Sequence, residues 1–161
     1  MTEYLRTWAE IDLDALTHNF KTAKARLQNK KITVVVKANA YGHGAVQIAR
    51  EIGKAADCFA VATLEEALEL RAHGVDGDIL ILSPVPRAQF LSAASSDILT
   101  VLFYDADAEA LSRAAKTLGK TAKAYLAVDT GMSRIGLSCD EDGIAEAKKI
   151  CSHNDISICG I

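Results

Sequence analysis

Residues 32–44, ITVVVKANAYGHG, constrain the rest of the chain more than any other stretch. Ile32, Thr33, Val34, Val35 and Val36 are β-branched without interruption and without polar alternation, the pattern of a strand buried on both faces in a parallel sheet. Lys37 falls at the carboxyl end of that strand. In parallel α/β sheets this end carries the ligand-binding loops, because the βα connections open there. Two chemistries are open to such a lysine. It is a solvated charge that stops the strand, or it is an amine desolvated by apolar neighbours that attacks a carbonyl in its neutral form. The flanking residues favour the second. Ala38 and Ala40 leave room for a planar ring, Asn39 and Tyr41 offer hydrogen bonds, and Gly42 and Gly44 permit close backbone approach. Gly42-His43-Gly44 is not a complete dinucleotide fingerprint, and no Walker A pattern occurs.

Composition excludes several other classes. A net charge of -3, with no Lys/Arg stretch interleaved with aromatics, argues against nucleic acid as a partner. No apolar run approaches the roughly 18 residues of a membrane helix, and residues 1–10, MTEYLRTWAE, lack the apolar core of a signal peptide, so a cytoplasmic location without membrane contact is expected. Cys58, Cys139, Cys151 and Cys159 lack CxxC spacing, and His18, His43, His73 and His153 lack ligand spacing. Free thiols are expected, with Cys58 and Cys159 inside buried strands, and no metal.

The chain alternates strand and helix throughout. Residues 5–11 read as extended, and Asp12 or Asp14 caps a helix whose apolar stripe, Leu13, Leu16, Phe20, Ala23 and Leu27, packs on a sheet. A helix over residues 44–55 turns Ala45, Ile48, Ala49 and Ile52 inward, and a strand comes next at 58–62. Thr63 with Glu66 forms a capping box, Leu64, Ala67, Leu68 and Leu70 face inward, and Glu65, Glu66 and Glu69 form the solvated side. Strands are expected at 79–82, 99–103, 122–128 and 156–161. The helices between them carry Phe90, Leu91 and Ala94, then Leu111, Ala114, Ala115 and Leu118 after an Asp105 cap, then Ile144, Ala147 and Cys151. Crossovers of this length demand parallel pairing with right-handed connections. An open doubly wound sheet and part of a (β/α)8 barrel both fit, and ending on an uncovered apolar strand favours the barrel.

A second cluster, Asp129-Thr130-Gly131-Met132-Ser133-Arg134, lies after the fifth strand and would face the same opening as Lys37 in a barrel. Arg134 has a donor fork suited to a planar anion; equally, it is a surface arginine on a glycine-bearing loop. Tyr104 reads as a rim aromatic, and Lys123 and Tyr125 alternate so as to point into a barrel.

Three segments in order, TWAEIDLDAL at 7–16, VVVKANAYGHG at 34–44 and VDTGMSRIG at 128–136, resemble the motifs of alanine racemases, fold-type III enzymes that use pyridoxal 5'-phosphate. The resemblance implies that residues 1–161 are the amino-terminal part of a TIM-barrel domain, roughly the first five to six βα units. The rest of the barrel and a carboxyl-terminal β domain would lie outside them. It implies racemisation of L-alanine and D-alanine, serving D-alanine supply for cell-wall peptidoglycan, by a homodimer. Lys37 matches the cofactor lysine and one of two bases, Tyr41 the tyrosine on the cofactor phosphate, and Arg134 the arginine that contacts cofactor and substrate. The opposing base, a tyrosine of the partner subunit, would lie beyond residue 161, so this segment alone is expected to be inactive. Many relatives carry a lysine, often carbamylated, two positions before Asp129 to hold that arginine; here Ala127 stands there, and an anion such as chloride would fill the gap. The alternatives are a non-catalytic pyridoxal-phosphate-binding barrel, which would lack the DTGM-x-R segment, and a racemase for another amino acid such as serine.

Overall fold

The computed structural model describes residues 7–161. Leu5 and Arg6, the start of the segment expected to be extended, lie outside the described residues. Among the described residues six strands, β1 (Thr33–Val35), β2 (Cys58–Val61), β3 (Asp78–Ile81), β4 (Ile98–Leu102), β5 (Ala122–Leu126) and β6 (Ile156–Gly160), pair in parallel in chain order as one open sheet. The connections run through α1 (Leu13–Arg26) before β1, then α2 (Lys37–Tyr41), α3 (Ala45–Ile52), α4 (Leu64–Ala72), α5 (Phe90–Ser95), α6 (Asp105–Leu118) and α7 (Glu141–Cys151). Sequential parallel neighbours joined by helical crossovers are the repeating unit of a (β/α)8 barrel, here as an unclosed part of one.

Side chains alternate across the sheet, so each strand serves two layers. Phe59, Val61, Ile79, Ile81 and Leu102 from the strands meet Ile48, Ile52, Leu70, Phe90, Leu111 and Ile150 from the helices in the main core. On the opposite face Cys58, Leu80 and Leu99 form a small cluster with half-buried Leu82, Val101 and Tyr125. Cys58 has its thiol pushed up to about 11 by burial, with the charge of Asp78 adding to it. Iodoacetamide at neutral pH is therefore expected to modify the exposed Cys139, Cys151 and Cys159 while sparing Cys58 in the native protein. Peptide mass spectrometry showing Cys58 labelled as fast as the others would contradict this.

Several details differ from the sequence reading. β1 is not buried on both faces: Thr33 and Val35 are exposed, Val35 to 48%, because among the described residues β1 is an edge strand paired only with β2. α1 starts at the Asp12 cap as expected, but only Leu13, Leu16 and Phe20 of its stripe reach the core, and the helix lies against α3, where Thr17 donates to Glu51. α7 buries Gly143 and Ile150 and leaves Ile144 and Cys151 exposed. Its rotation comes from Gly143, where any side chain would overlap the Ser138 carbonyl, so that helix face must turn toward the preceding loop. Cys159 is exposed on edge strand β6, and Asp105 is the first helical residue of α6 rather than its cap.

Candidate functional site

β1 hands directly to Lys37. Val36, 1% exposed, continues the ladder by donating its N–H to Ala60 O at 2.8 Å, so the chain is held flush with β2 up to the lysine. The chain then enters a left-handed helical turn: Ala38, Asn39, Ala40 and Tyr41 have φ of 52°, 52°, 51° and 54°. That conformation costs a non-glycine residue about 1–2 kcal/mol, so four in a row persist only because other bonds determine them. The Ala40 N–H donates to Val36 O at 2.8 Å, and Asn39 O accepts from Gly42 N and Gly44 N, both at 3.0 Å. The His43 ring Nδ1 lies 2.8 Å from Ala40 O, and Asn39 Oδ1 accepts from Ala45 N at 2.8 Å, capping α3. Gly42 and Gly44, with φ of 87° and 90°, close the turn where a side chain would add strain.

Glu66 completes this frame. Its Oε1 accepts from the Ala38 N–H at 2.6 Å and its Oε2 from the Ala62 N–H at 2.7 Å. Thr63 Oγ1 accepts from Glu66 N and Oε2 from Thr63 N, both at 3.3 Å, so the expected capping box is present. Glu66 is half-buried, not part of a solvated side. The capping-box spacing signals its bond to Thr63, but nothing local signals a bond to a backbone group 28 residues earlier.

Lys37 is half-buried rather than walled in, and among the described residues its amine has no hydrogen bond or ion pair. Tyr41 is 70% exposed at the far end of the same turn. Arg134 stands in the loop after β5, at the same carboxyl edge of the sheet, four strands across, roughly 19 Å at ~4.8 Å per strand measured along the sheet. The loop is built on Asp129, whose Oδ1 accepts from Gly131 N and Ser133 N, both at 2.9 Å. Its neck is a bridge in which Asp129 N donates to Leu137 O at 2.9 Å and Leu137 N to Ala127 O at 2.8 Å. Gly136 has φ of 119° and backbone so close that a Cβ would sit 2.6 Å from Asp129 N. Arg134 is exposed and has no partner among the described residues, while Ala127 packs on the core.

The N–H groups of Ser133 and then Gly131 hold the Asp129 carboxyl below its ordinary range. A depressed native value means that the opened loop takes up a proton at higher pH than the closed one. The stabilisation is present above the ordinary carboxylate pKa and is lost as pH falls through the folded value. Amide exchange at Gly131 and Ser133, measured against Asp129→Asn, is expected to accelerate on acidification through that window. An identical pH profile in the variant would contradict this.

Elsewhere, Tyr104 is 57% exposed at the rim with its ring 4.7 Å from that of Phe103, as a rim aromatic should be. Lys123 pairs with Asp78 at 3.2 Å near the opposite, amino-terminal ends of β5 and β3, away from Lys37. A cleft of about 990 Å³ lined by Ile11, Leu13, Asn39, His43 and Gln47 flanks the turn, but Lys37 is not in its wall. The open carboxyl edge of the sheet is therefore the place where chemistry at Lys37 would occur. Among the described residues no group of three or more His, Cys, Asp and Glu could hold a metal, and no helix is long and apolar enough to cross a membrane.

Among the described residues an amine, a phenol and a guanidinium without partners stand along one edge of the sheet, groups whose chemistry fits an aldehyde-bearing, phosphorylated ring such as pyridoxal phosphate. Residues 11–161 match the family described as alanine racemase, N-terminal domain. The chain belongs to the alanine racemase family. It is 43% identical over 157 residues to an alanine racemase of Desulforamulus reducens, covering 96% of this chain and 42% of that protein. An alanine racemase of Clostridium difficile in complex with cycloserine superposes with a TM-score of 0.94 at 35% identity, over 99% of this chain and 44% of that one. A histidine racemase of Leuconostoc mesenteroides superposes with a TM-score of 0.82 at 31% identity, over 91% and 40%. The chain thus spans about two fifths of the length of these racemases, and its fold is part of the TIM-barrel domain.

Proposed function

We propose that the protein containing this chain interconverts L-alanine and D-alanine with pyridoxal 5'-phosphate held on Lys37, and that residues 1–161 form the amino-terminal part of its barrel domain. The observation that carries this is the placement of Lys37: an amine without a partner among the described residues, at the carboxyl end of β1, in a chain 43% identical to an alanine racemase. When bound, the cofactor supplies an electron sink that eases removal of the substrate's Cα proton. Lys37 anchors that group and then moves the Cα proton on one face of the substrate. Arg134 binds the substrate carboxylate or the phenolic oxygen of the cofactor, with its planar fork matched to an anion. Tyr41 donates its hydroxyl to the phosphate. A proton must be returned on the opposite face, and the base for that is supplied by the partner subunit of a homodimer from outside residues 1–161. The isolated segment is therefore inactive. The protein acts in the cytoplasm, where its D-alanine feeds peptidoglycan synthesis.

Alanine is favoured over serine or histidine by the sequence matches, although a histidine racemase shares the fold. The test is incubation of the complete enzyme and cofactor with L-alanine in deuterium oxide. D-alanine accumulating to an equal mixture, with deuterium at Cα, is the expected result. Turnover of another amino acid in place of alanine would reassign the substrate, and no exchange with any amino acid would favour the non-catalytic pyridoxal-phosphate-binding alternative.

A further inference from the structure

We propose that Glu66 is a positioning residue for Lys37, holding the left-handed turn through the Ala38 and Ala62 N–H groups so that the lysine amine stays at the mouth of β1. This role rests on the reading of Lys37 as the cofactor-bearing residue. The first N–H groups of a helical turn have no acceptor within it, whatever its hand, and Ala40 is the first residue of α2 whose N–H bonds back, to Val36 O. Ala38 N–H, otherwise an orphan donor, finds its acceptor in Glu66 Oε1, in a short bond to a carboxylate, the stronger class of hydrogen bond. The other oxygen accepts from Ala62, directly after β2. One side chain thus ties together the carboxyl ends of the first two strands. Lys37 is clamped on both sides, by Val36 N to Ala60 O before it and by Ala38 N to Glu66 after it. Rotation of the peptide between Lys37 and Ala38 would swing the amine away, and the Ala38 bond to Glu66 opposes that rotation.

A carboxylate is required because both oxygens accept. Glutamine has the same shape but only one acceptor, so in either orientation its NH2 faces a backbone N–H. The neighbouring glutamates differ: Glu65 accepts from Gln89 at 3.1 Å and Glu69 is exposed, and neither has a bond to the turn. The contact is visible only in three dimensions.

The test uses the complete protein and two readouts: the rate at which borohydride-fixed pyridoxal phosphate appears on Lys37, and hydrogen exchange of the Ala38 and Ala62 amides without cofactor. Glu66→Gln is expected to slow capture at least about tenfold and to speed Ala38 exchange by about a hundredfold. Thr63→Ala, which removes the cap at the same helix start without touching Ala38, should leave both within about twofold. A folded Glu66→Gln protein with wild-type capture and wild-type Ala38 exchange would overturn the proposal. If that variant does not fold, the wild-type Ala38 amide decides: slow exchange supports the clamp, and exchange at the rate of a free peptide refutes it. Should the wild type capture no cofactor on Lys37, the functional reading fails, while Ala38 exchange still reports whether Glu66 holds the turn.

Discussion

Lys37→Ala is expected to abolish covalent capture of pyridoxal phosphate by the complete enzyme and to lower alanine racemisation by at least about a thousandfold, while leaving the melting temperature nearly unchanged. The activity loss is large because, in the proposed function, one amine serves twice, as anchor and as base. The stability effect is small because the side chain is half-buried and has no bond within the described residues. Lys37→Arg keeps the charge but cannot form the bond, since a guanidinium stays protonated, so it should be as inactive as alanine. Absorbance, chiral chromatography of alanine and thermal denaturation together check the prediction. Retained activity in either variant would move the chemistry elsewhere.

Gly136→Ala should have the second largest effect. Its φ of 119° is disfavoured for alanine, and a methyl group would lie 2.6 Å from Asp129 N and 2.7 Å from Val128 C, both backbone atoms that cannot move without breaking the Asp129–Leu137 bridge. A loss of about 2–4 kcal/mol is expected, a fall in melting temperature of roughly 5–15 °C at about 2–4 °C per kcal/mol. Because the same bridge forms the neck of the loop bearing Arg134, the Michaelis constant for alanine should rise more than covalent capture at Lys37 falls. Gly131 supplies the comparison. It has φ of 126° but nothing within 4 Å of a Cβ, so Gly131→Ala carries the backbone strain without the clash and should cost less. Equal effects of the two substitutions would show that the close approach at Gly136 does not govern the loop.

Much of this architecture is legible in one dimension because it arises from periodicity. The apolar steps at Ala45, Ile48, Ala49 and Ile52, the uninterrupted strand of residues 58–61 and the Thr63–Glu66 box all appear where local spacing puts them. Features set by long-range contact are not legible in this way. A run of β-branched residues says that 32–36 is a strand but not that it lies at an edge, which leaves Val35 half exposed. The stripe on α7 is rotated by the approach of Gly143 to Ser138, a contact that hydrophobic spacing does not encode. Lys37, Tyr41 and Arg134, the candidates that the motifs single out, do share one edge of the sheet. The left-handed turn could not, because Ala38 and Ala40 favour an ordinary helix and only Asn39 and the flanking glycines hint otherwise. Glu66 was hidden for the same reason: its bond to Ala38 spans two βα units, and its position on α4 looks solvated in sequence.

The most direct test is to mix the complete protein with pyridoxal phosphate, fix any linkage with borohydride, digest, and locate the modified lysine by mass spectrometry. Label on the peptide containing Lys37, and on no other lysine at stoichiometric cofactor, is the predicted result. Label on Lys123 or a surface lysine with Lys37 unmodified would contradict the assignment of the site.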